Sequence, residues 1–298
     1  MKTSKMIKPK RRKASLRSGK SLRPSTRRHM RKSRSRRSSR SRLITDYRGR
    51  LSVIISARDE EETLFQVLKQ VLRLRPSEII VVLNGCTDNS FQRARLCKQA
   101  IVVHCPESAG HDVGRSIGAK LSQGDIVLFL DGDMIIPAPQ LAVYAAAIDQ
   151  GVDVALNDID PLLPVFAKWD DVTRCKLFLN SILGRIDLGT ASMTAVPHAL
   201  SRRAVEAIGY QHLMVPPKAH AIAIMENLQV KKAGTVNVIT HNRLRRTNTG
   251  EGNAMAMLIS GDHSEALQEV LARSGGRLLK GGHGAEDRQQ MALWRNGI

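Results

Sequence analysis

Four short apolar runs lie between Leu51 and Leu130, and stretches of helical periodicity separate them. The runs are Leu51–Ala57 (LSVIISA), Glu78–Leu83 (EIIVVL), Ala100–His104 (AIVVH) and Asp125–Leu130 (DIVLFL). They are continuous rather than alternating, which fits strands buried on both faces. Apolar residues at Leu64, Val67, Leu68, Val71 and Leu72 give Glu60–Leu74 a helical period, closed by Pro76. Further helices are predicted over Ser90–Gln99 and Asp112–Leu121, with another opening at Pro137, where a first-turn proline is well placed. Strand and helix in alternation leave few architectures. The expectation is an α/β fold, Rossmann-like, with a mostly parallel sheet, helices on both faces and right-handed crossovers. Sheets of this kind bind ligands at the carboxyl ends of their strands.

The pattern is sparser after residue 150. Strands are predicted over Val152–Leu156 and Val236–Thr240, and helices over Trp169–Leu183, Arg202–Ile208, Ala219–Asn227 and His263–Ser274. Val215-Pro216-Pro217 reads as a break before the third of these helices. The body spans 47–274, with halves 47–150 and 151–274, and Gly275–Ile298 reads as a loosely structured end.

Composition matters at the N-terminus. Residues 1–42 hold 19 of the 47 Lys and Arg, ten Ser and no Asp or Glu, which leaves 28 basic against 27 acidic side chains elsewhere. The formal net charge of +20 therefore describes a tail. A body this close to neutral excludes a compact basic nucleic-acid binder. Too polar to bury apolar surface, residues 1–46 read as disordered. The tail suits electrostatic attachment to an anionic surface, whether membrane lipid, polymer or nucleic acid, of a kind that weakens with salt and vanishes with the tail. It has no Phe, Tyr or Trp for base stacking. Cys86, Cys97, Cys105 and Cys175 form no C-x-x-C pair and suit a reducing compartment. No apolar run is long enough to span a bilayer and no h-region follows the basic start, so the expected location is cytoplasmic, peripheral at an anionic surface.

Three polar clusters fall at three predicted strand ends. Asp131-Gly132-Asp133 follows the fourth run: two carboxylates one residue apart suit a hard divalent cation bridging to phosphate oxygens. A helix-capping loop would give the same residues. Asn84-Gly85-Cys86-Thr87-Asp88 follows the second run. Asn84 offers both donor and acceptor to a base edge, and the same cluster fits an Asx turn with a helix cap. Ser56-Ala57-Arg58-Asp59-Glu60-Glu61 follows the first, where acids also suit a helix start. Arg115, near the start of the third helix, could steady a diphosphate.

Together these clusters resemble the nucleotide-sugar-binding half of a family 2 glycosyltransferase with the GT-A fold. Ser56–Glu61 stands where that family has a P-A-Y-N-E-E type run. Leu83–Asp88 stands in the place of D-D-G-S-T-D with both leading acids replaced, and Arg115–Gly118 in that of R-N-x-G. Asp131–Asp133 stands in that of the metal-binding D-x-D, so the resemblance covers about 85 residues.

The resemblance implies a transferase acting on a nucleoside-diphosphate sugar, such as a UDP-sugar, and an acceptor not named by the sequence. It puts Ser56, Ala57, Arg58, Glu60, Asn84, Asp88, Arg115 and Asp131 on the donor, with Glu60 and Asn84 near base and ribose. Asp131 and Asp133 become the catalytic pair, and Asp133 the ligand of Mg²⁺ or Mn²⁺. A further metal ligand is expected from the C-terminal part, His263 first and His241 second, with Arg243, Arg245 and Arg246 as a possible clamp on the diphosphate or an anionic acceptor. The acceptor half departs from the family: Val215–Glu226 lacks the E-D pair that inverting members use as a base. Either Asp158, Asp160 or Asp187 serves instead, or the chemistry is retaining, as in a glucosyl-phosphoglycerate-type enzyme. Two other readings stay open: a nucleotidyltransferase-like enzyme, and an inactive scaffold acting through its tail.

Overall fold

The computed structural model describes residues 46–238 and 254–275, together with Leu293. The expected tail, His241, the Arg243–Arg246 group and nearly all of the expected C-terminal segment lie outside the described residues.

The first half follows the expected alternation. Strand β1 (Leu51–Ala57) leads to α1 (Leu64–Leu72), β2 (Glu78–Asn84), α2 (Ser90–Arg95), β3 (Ala100–Cys105), α3 (Val113–Leu121), β4 (Ile126–Asp131) and α4 (Ala138–Asp149). Then come β5 (Val154–Asn157), α5 (Asp171–Ile182), β6 (His198–Ser201), α6 (Arg202–Ile208), α7 (Pro216–Met225), β7 (Val230–Gly234) and α8 (Ala254–Arg273), with short 3-10 turns between them. The seven strands form one sheet in the order β3-β2-β1-β4-β6-β5-β7. All run parallel except β6, which is antiparallel to β4 and β5.

Side chains of β1 alternate between the two faces, as pleating dictates. Val53 and Ile55 join α1 residues Val67, Leu68 and Val71 and α4 residues Leu141 and Tyr144 in one core. Ile54 joins Val127 and Phe129 of β4, Ala119 of α3 and Ile222 of α7 in the other. A third, smaller core forms between Leu179 and Ile182 of α5, Ala221 of α7, and Ala266 and Val270 of α8. Among the described residues no helix is long and apolar enough to cross a membrane.

Four differences from the sequence expectation have physical causes. Strand β6 was not expected: His198–Ser201 lacks β-branched residues, and its pairing with β4, Phe129 stacked on His198 at 5.0 Å, decides its state. Among the described residues the last strand is Val230–Gly234 and not Val236–Thr240, of which 236–238 are irregular and the rest is outside the described residues. Its Lys231 and Lys232 hid it, but it is a sheet-edge strand, where lysine is well placed. Pro216 and Pro217 open α7 instead of breaking the chain before it, because the first helical turn needs no amide donor there. Helix α8 starts nine residues earlier than the predicted His263.

Helix α3 lies against β1 through Gly114 and Gly118, one turn apart. A Cβ at Gly114 would overlap Ser56 Oγ, and one at Gly118 would overlap Ile54 Cγ2. Gly261 of α8, by contrast, has no atom within 4 Å of its ideal Cβ. Urea unfolding should therefore show Gly118→Ala losing about 1–3 kcal/mol through overpacking. Gly261→Ala should gain about 0.5–1 kcal/mol from reduced chain entropy. Equal behaviour of the two variants would contradict this packing.

Candidate functional site

Parallel register brings the three clusters to one edge. Ser56 of β1 lies opposite both Val82 of β2 and Asp131 of β4, so the three chains leave the sheet level with one another. The three clusters thus follow neighbouring strands at the carboxyl edge of one sheet.

Asp131-Gly132-Asp133 is fastened to the end of β1. Gly132 N–H donates to Ser56 O at 2.8 Å. Thr63 Oγ1 donates to Gly132 O at 2.8 Å. A Cβ on Gly132 would come within 2.7 Å of Ala57 Cβ, so the close approach requires glycine. The two flanking aspartates remain half-buried at the open edge.

Arg115 reaches the same place from α3. Its guanidinium is buried and bridges Asp112 Oδ1 at 3.1 Å and Asp131 Oδ1 at 3.5 Å. It also donates to Met193 O at 3.4 Å. Burial disfavours the guanidinium charge, and the carboxylates of Asp112 and Asp131 outweigh it, leaving its pKa raised. Sequence reasoning found Arg115 but not its partner Asp112. The i, i+3 spacing of the two was the available signal.

Several expected donor residues have structural partners here. Asn84 is buried, its Oδ1 accepting from Ala109 N at 2.8 Å and its Nδ2 donating to Gly110 O at 2.5 Å. The carboxamide thus stitches the 109–110 loop onto β2. Asp88 accepts from Glu61 N and Ser90 N, each at 2.9 Å. Burial pushes the Asp88 carboxyl up, but these bonds and the Ser90 hydroxyl hold it below the usual range. Glu60 is buried, with its amide donating to Ser90 Oγ at 2.7 Å and its carboxylate accepting from Thr63 Oγ1 at 3.3 Å. Exposed Arg58 reaches Ser108 Oγ at 3.4 Å.

Two donor sets were tested for a cation. Asp131 and Asp133 offer hard oxygen ligands at the half-open edge, with Gly132 cradled on Ala57, and that set fits Mg²⁺ or Mn²⁺. Asp59, Cys86 and Asp88 also converge. That group fits poorly: Asp59 Oδ1 accepts from Thr87 N at 2.7 Å and the Asp88 oxygens serve backbone amides. Burial, with the charges of Asp59 and Asp88, keeps the Cys86 thiol above its usual range and hence protonated.

His263 corrects the sequence reading. Its ring is buried in α8 and its Nδ1–H donates to Ile259 O at 2.7 Å. His263, Ala266 and Val270 form the buried i, i+3, i+7 stripe of α8, which faces α5 and α7. Among the described residues it joins no metal-holding group with Asp133. The next residue back, Asp262, is the one within electrostatic reach of Asp112 and His111, and burial followed by the Asp112 charge pushes its carboxyl up to about 6.

The acids considered as a base are ion-paired. Lys232 contacts Asp158 at 3.2 Å and Asp160 at 2.8 Å. Arg185 holds Asp187 at 2.7 Å, and Arg273 holds Glu226 at 2.7 Å.

Buried histidines make the fold acid-sensitive. Burial, then the Arg115 charge, pushes His198 down from 6.5 to about 3. Burial, then Arg185, does the same to His220, and His263 is lowered by burial as well. Below pH 6.5 the unfolded chain takes up protons that the folded chain refuses, so stability is present above that pH and lost on the way down towards about 3. Asp262 has the opposite sign and offsets one histidine between about 6 and 3.8. Unfolding in urea should show a loss on the order of 2–3 kcal/mol from pH 7 to 5, and His220→Asn should shrink the slope. A flat or rising profile on acidification would contradict this.

A family model described as "Glycosyl transferase family 2" matches residues 52–208. Glucosyl-3-phosphoglycerate synthase of Mycolicibacterium paratuberculosis is 35% identical over 105 residues, 32% of this chain and 31% of that protein. The match thus spans about a third of the length of that curated relative. The crystal structure of glucosyl-3-phosphoglycerate synthase from Mycobacterium tuberculosis with Mn²⁺, UDP and glucosyl-3-phosphoglycerate superposes with a TM-score of 0.54 at 18% identity, over 76% of this chain and 80% of that one. The same enzyme with Mn²⁺, UDP-glucose and glycerol 3-phosphate gives 0.52 at 19%, over 76% and 80%. At these identities the likeness speaks to the fold.

Proposed function

The chain belongs to glycosyl transferase family 2, and we propose that it moves a sugar from a nucleoside-diphosphate sugar, of the UDP-sugar kind, to an acceptor hydroxyl with the help of Mg²⁺ or Mn²⁺. The observation that carries this reading is Asp131-Gly132-Asp133 at the end of β4, fastened to β1 and partnered by buried Arg115.

Asp133 would hold the cation, with Asp131 beside it on the ribose or sugar. A bound divalent ion supplies positive charge to the departing diphosphate. Arg115 sets the rotamer of Asp131 through its 3.5 Å contact. Ser56, Ala57, Arg58 and Glu60 form the wall on the nucleotide side. Asn84 and Asp88 act in this reading through the loops they fasten, and less by touching the base. His241, the second candidate for a further ligand, lies outside the described residues.

The acceptor chemistry follows from the ion pairs. Asp158, Asp160 and Asp187 are each engaged with a cation, Lys232 or Arg185, and would have to give up that ion pair to take a proton. That supports a retaining course, in which no protein carboxylate has to take the acceptor proton from the opposite face. The complexes of the similar enzyme with glucosyl-3-phosphoglycerate and with glycerol 3-phosphate favour a small hydroxylated anion as acceptor here too.

A thermal-shift panel of nucleotide sugars tests the reading. With Mn²⁺ and donor at about 100 times Kd, Tm should rise by about 5 °C. Asp133→Ala should remove that rise while the Tm of the unliganded protein stays within a few degrees. No shift with any nucleotide sugar would sink the reading. A shift with nucleoside triphosphates alone would favour nucleotidyl transfer.

A further inference from the structure

Helix α5 turns a polar stripe inward. Thr173, Lys176 and Asn180 stand at i, i+3 and i+7, and Thr173 and Asn180 are buried. Asn180 Nδ2 donates to Gly189 O at 2.9 Å and Ala191 O at 3.0 Å. Its Oδ1 accepts from His220 Nε2 at 2.7 Å. Lys176, between these two on the stripe, is part-buried and has no hydrogen bond or ion pair among the described residues.

Among the described residues, little around Lys176 balances its charge. Asp170 is within electrostatic reach, but its Oδ1 already accepts from Thr173 N at 2.7 Å at the start of α5. From α8 comes His263, whose Nδ1–H is engaged with Ile259 O, so its other nitrogen is a neutral acceptor, buried without a partner. From α7 comes His220, whose Nε2–H is engaged with Asn180, leaving Nδ1 likewise neutral and unpartnered. Burial brings the Lys176 ammonium down to about 8, with Asp170 opposing. A cation withdrawn from water is stable when an anion faces it. Among the described residues the one anion in electrostatic reach, Asp170, is already engaged at the start of α5.

This face also connects to the donor site. Asn180 fixes the backbone at Gly189 and Ala191, and two residues on, Met193 O accepts from Arg115. One position before His263, Asp262 is within reach of Asp112, the partner of Arg115. The 189–193 segment thus links the inner face of α5 to Arg115 at the end of β4.

We propose that Lys176 is a specificity-determining residue whose ammonium receives the anionic group, phosphate or carboxylate, of the acceptor. Calling that molecule the acceptor rests on the glycosyl-transfer reading above; the anion site stands on α5, α7 and α8.

The test is chemical labelling of the full-length protein with an amine-acylating reagent near pH 8, Lys176 being followed by mass spectrometry. The probes are 3-phosphoglycerate, glycerol 3-phosphate, inorganic phosphate and, as an uncharged control, glycerol. Lys176 should be protected at least about fivefold by the first two and not by glycerol. Protection by inorganic phosphate as strong as theirs marks a general anion site; weaker protection marks recognition of the whole acceptor. In calorimetry Lys176→Met should weaken 3-phosphoglycerate binding about tenfold or more, the loss of one charge-assisted bond, and Lys176→Arg should restore most of it. UDP with Mn²⁺ serves as the fold check on each variant. Labelling of Lys176 that no anion slows, or equal 3-phosphoglycerate binding by Lys176→Met, overturns the assignment. Failure of UDP to bind the wild-type protein instead sinks the glycosyl-transfer reading and leaves the anion site to the labelling result.

Discussion

The guanidinium of Arg115, withdrawn from water between Asp112 at 3.1 Å and Asp131 at 3.5 Å, is the contact on which the site is built. It joins the start of α3, the end of β4 and the backbone at Met193. Removing such a charge from its partners typically costs about 3–5 kcal/mol, because carboxylates are left facing each other. The contact exists only because α3 can lie low. Gly114 and Gly118 let that helix rest on Ser56 and Ile54 with no side chain between.

The sheet then distributes roles along its carboxyl edge. Strands β1, β2 and β4 end in the three clusters on the donor side. The antiparallel β6 fills the gap beside β4, and β5 resumes the parallel direction beyond it. Asp158 and Asp160, just past the end of β5, therefore come out on the same edge, where Lys232 neutralises them. At β4 the acid Asp131 is held by Arg115 at 3.5 Å, and the acids farther along are bound up in ion pairs of their own. Helices α5, α7 and α8 build a separate small core, and its polar members include Thr173, Asn180, His220, His263 and Lys176.

The first half of the fold was legible because its strands are continuous runs of Ile, Val and Leu, bounded by turn residues, and burial on two faces demands that pattern. The second half was harder to read. His198–Ser201 is a strand through its neighbours alone, and Val230–Gly234 carries two lysines because it lies at an edge. The D-G-D motif and Arg115 were visible because chemistry fixes their residue types. The partners of Asn84 and Asp88 were not, since a carboxamide or carboxylate at a strand end serves a loop amide as readily as a ligand. His263 was misassigned for a related reason. A histidine beside an aspartate looks like a ligand in one dimension, but the stripe His263, Ala266, Val270 marks it as core.

The central claim is that the end of β4 holds the cation. Anomalous diffraction from crystals grown with Mn²⁺ and UDP addresses it directly. The account predicts a manganese peak within bonding distance of an Asp133 carboxylate oxygen, bridging to the diphosphate. A peak at Asp59, Cys86 and Asp88 with none at Asp133, or UDP bound with no metal beside β4, would contradict it.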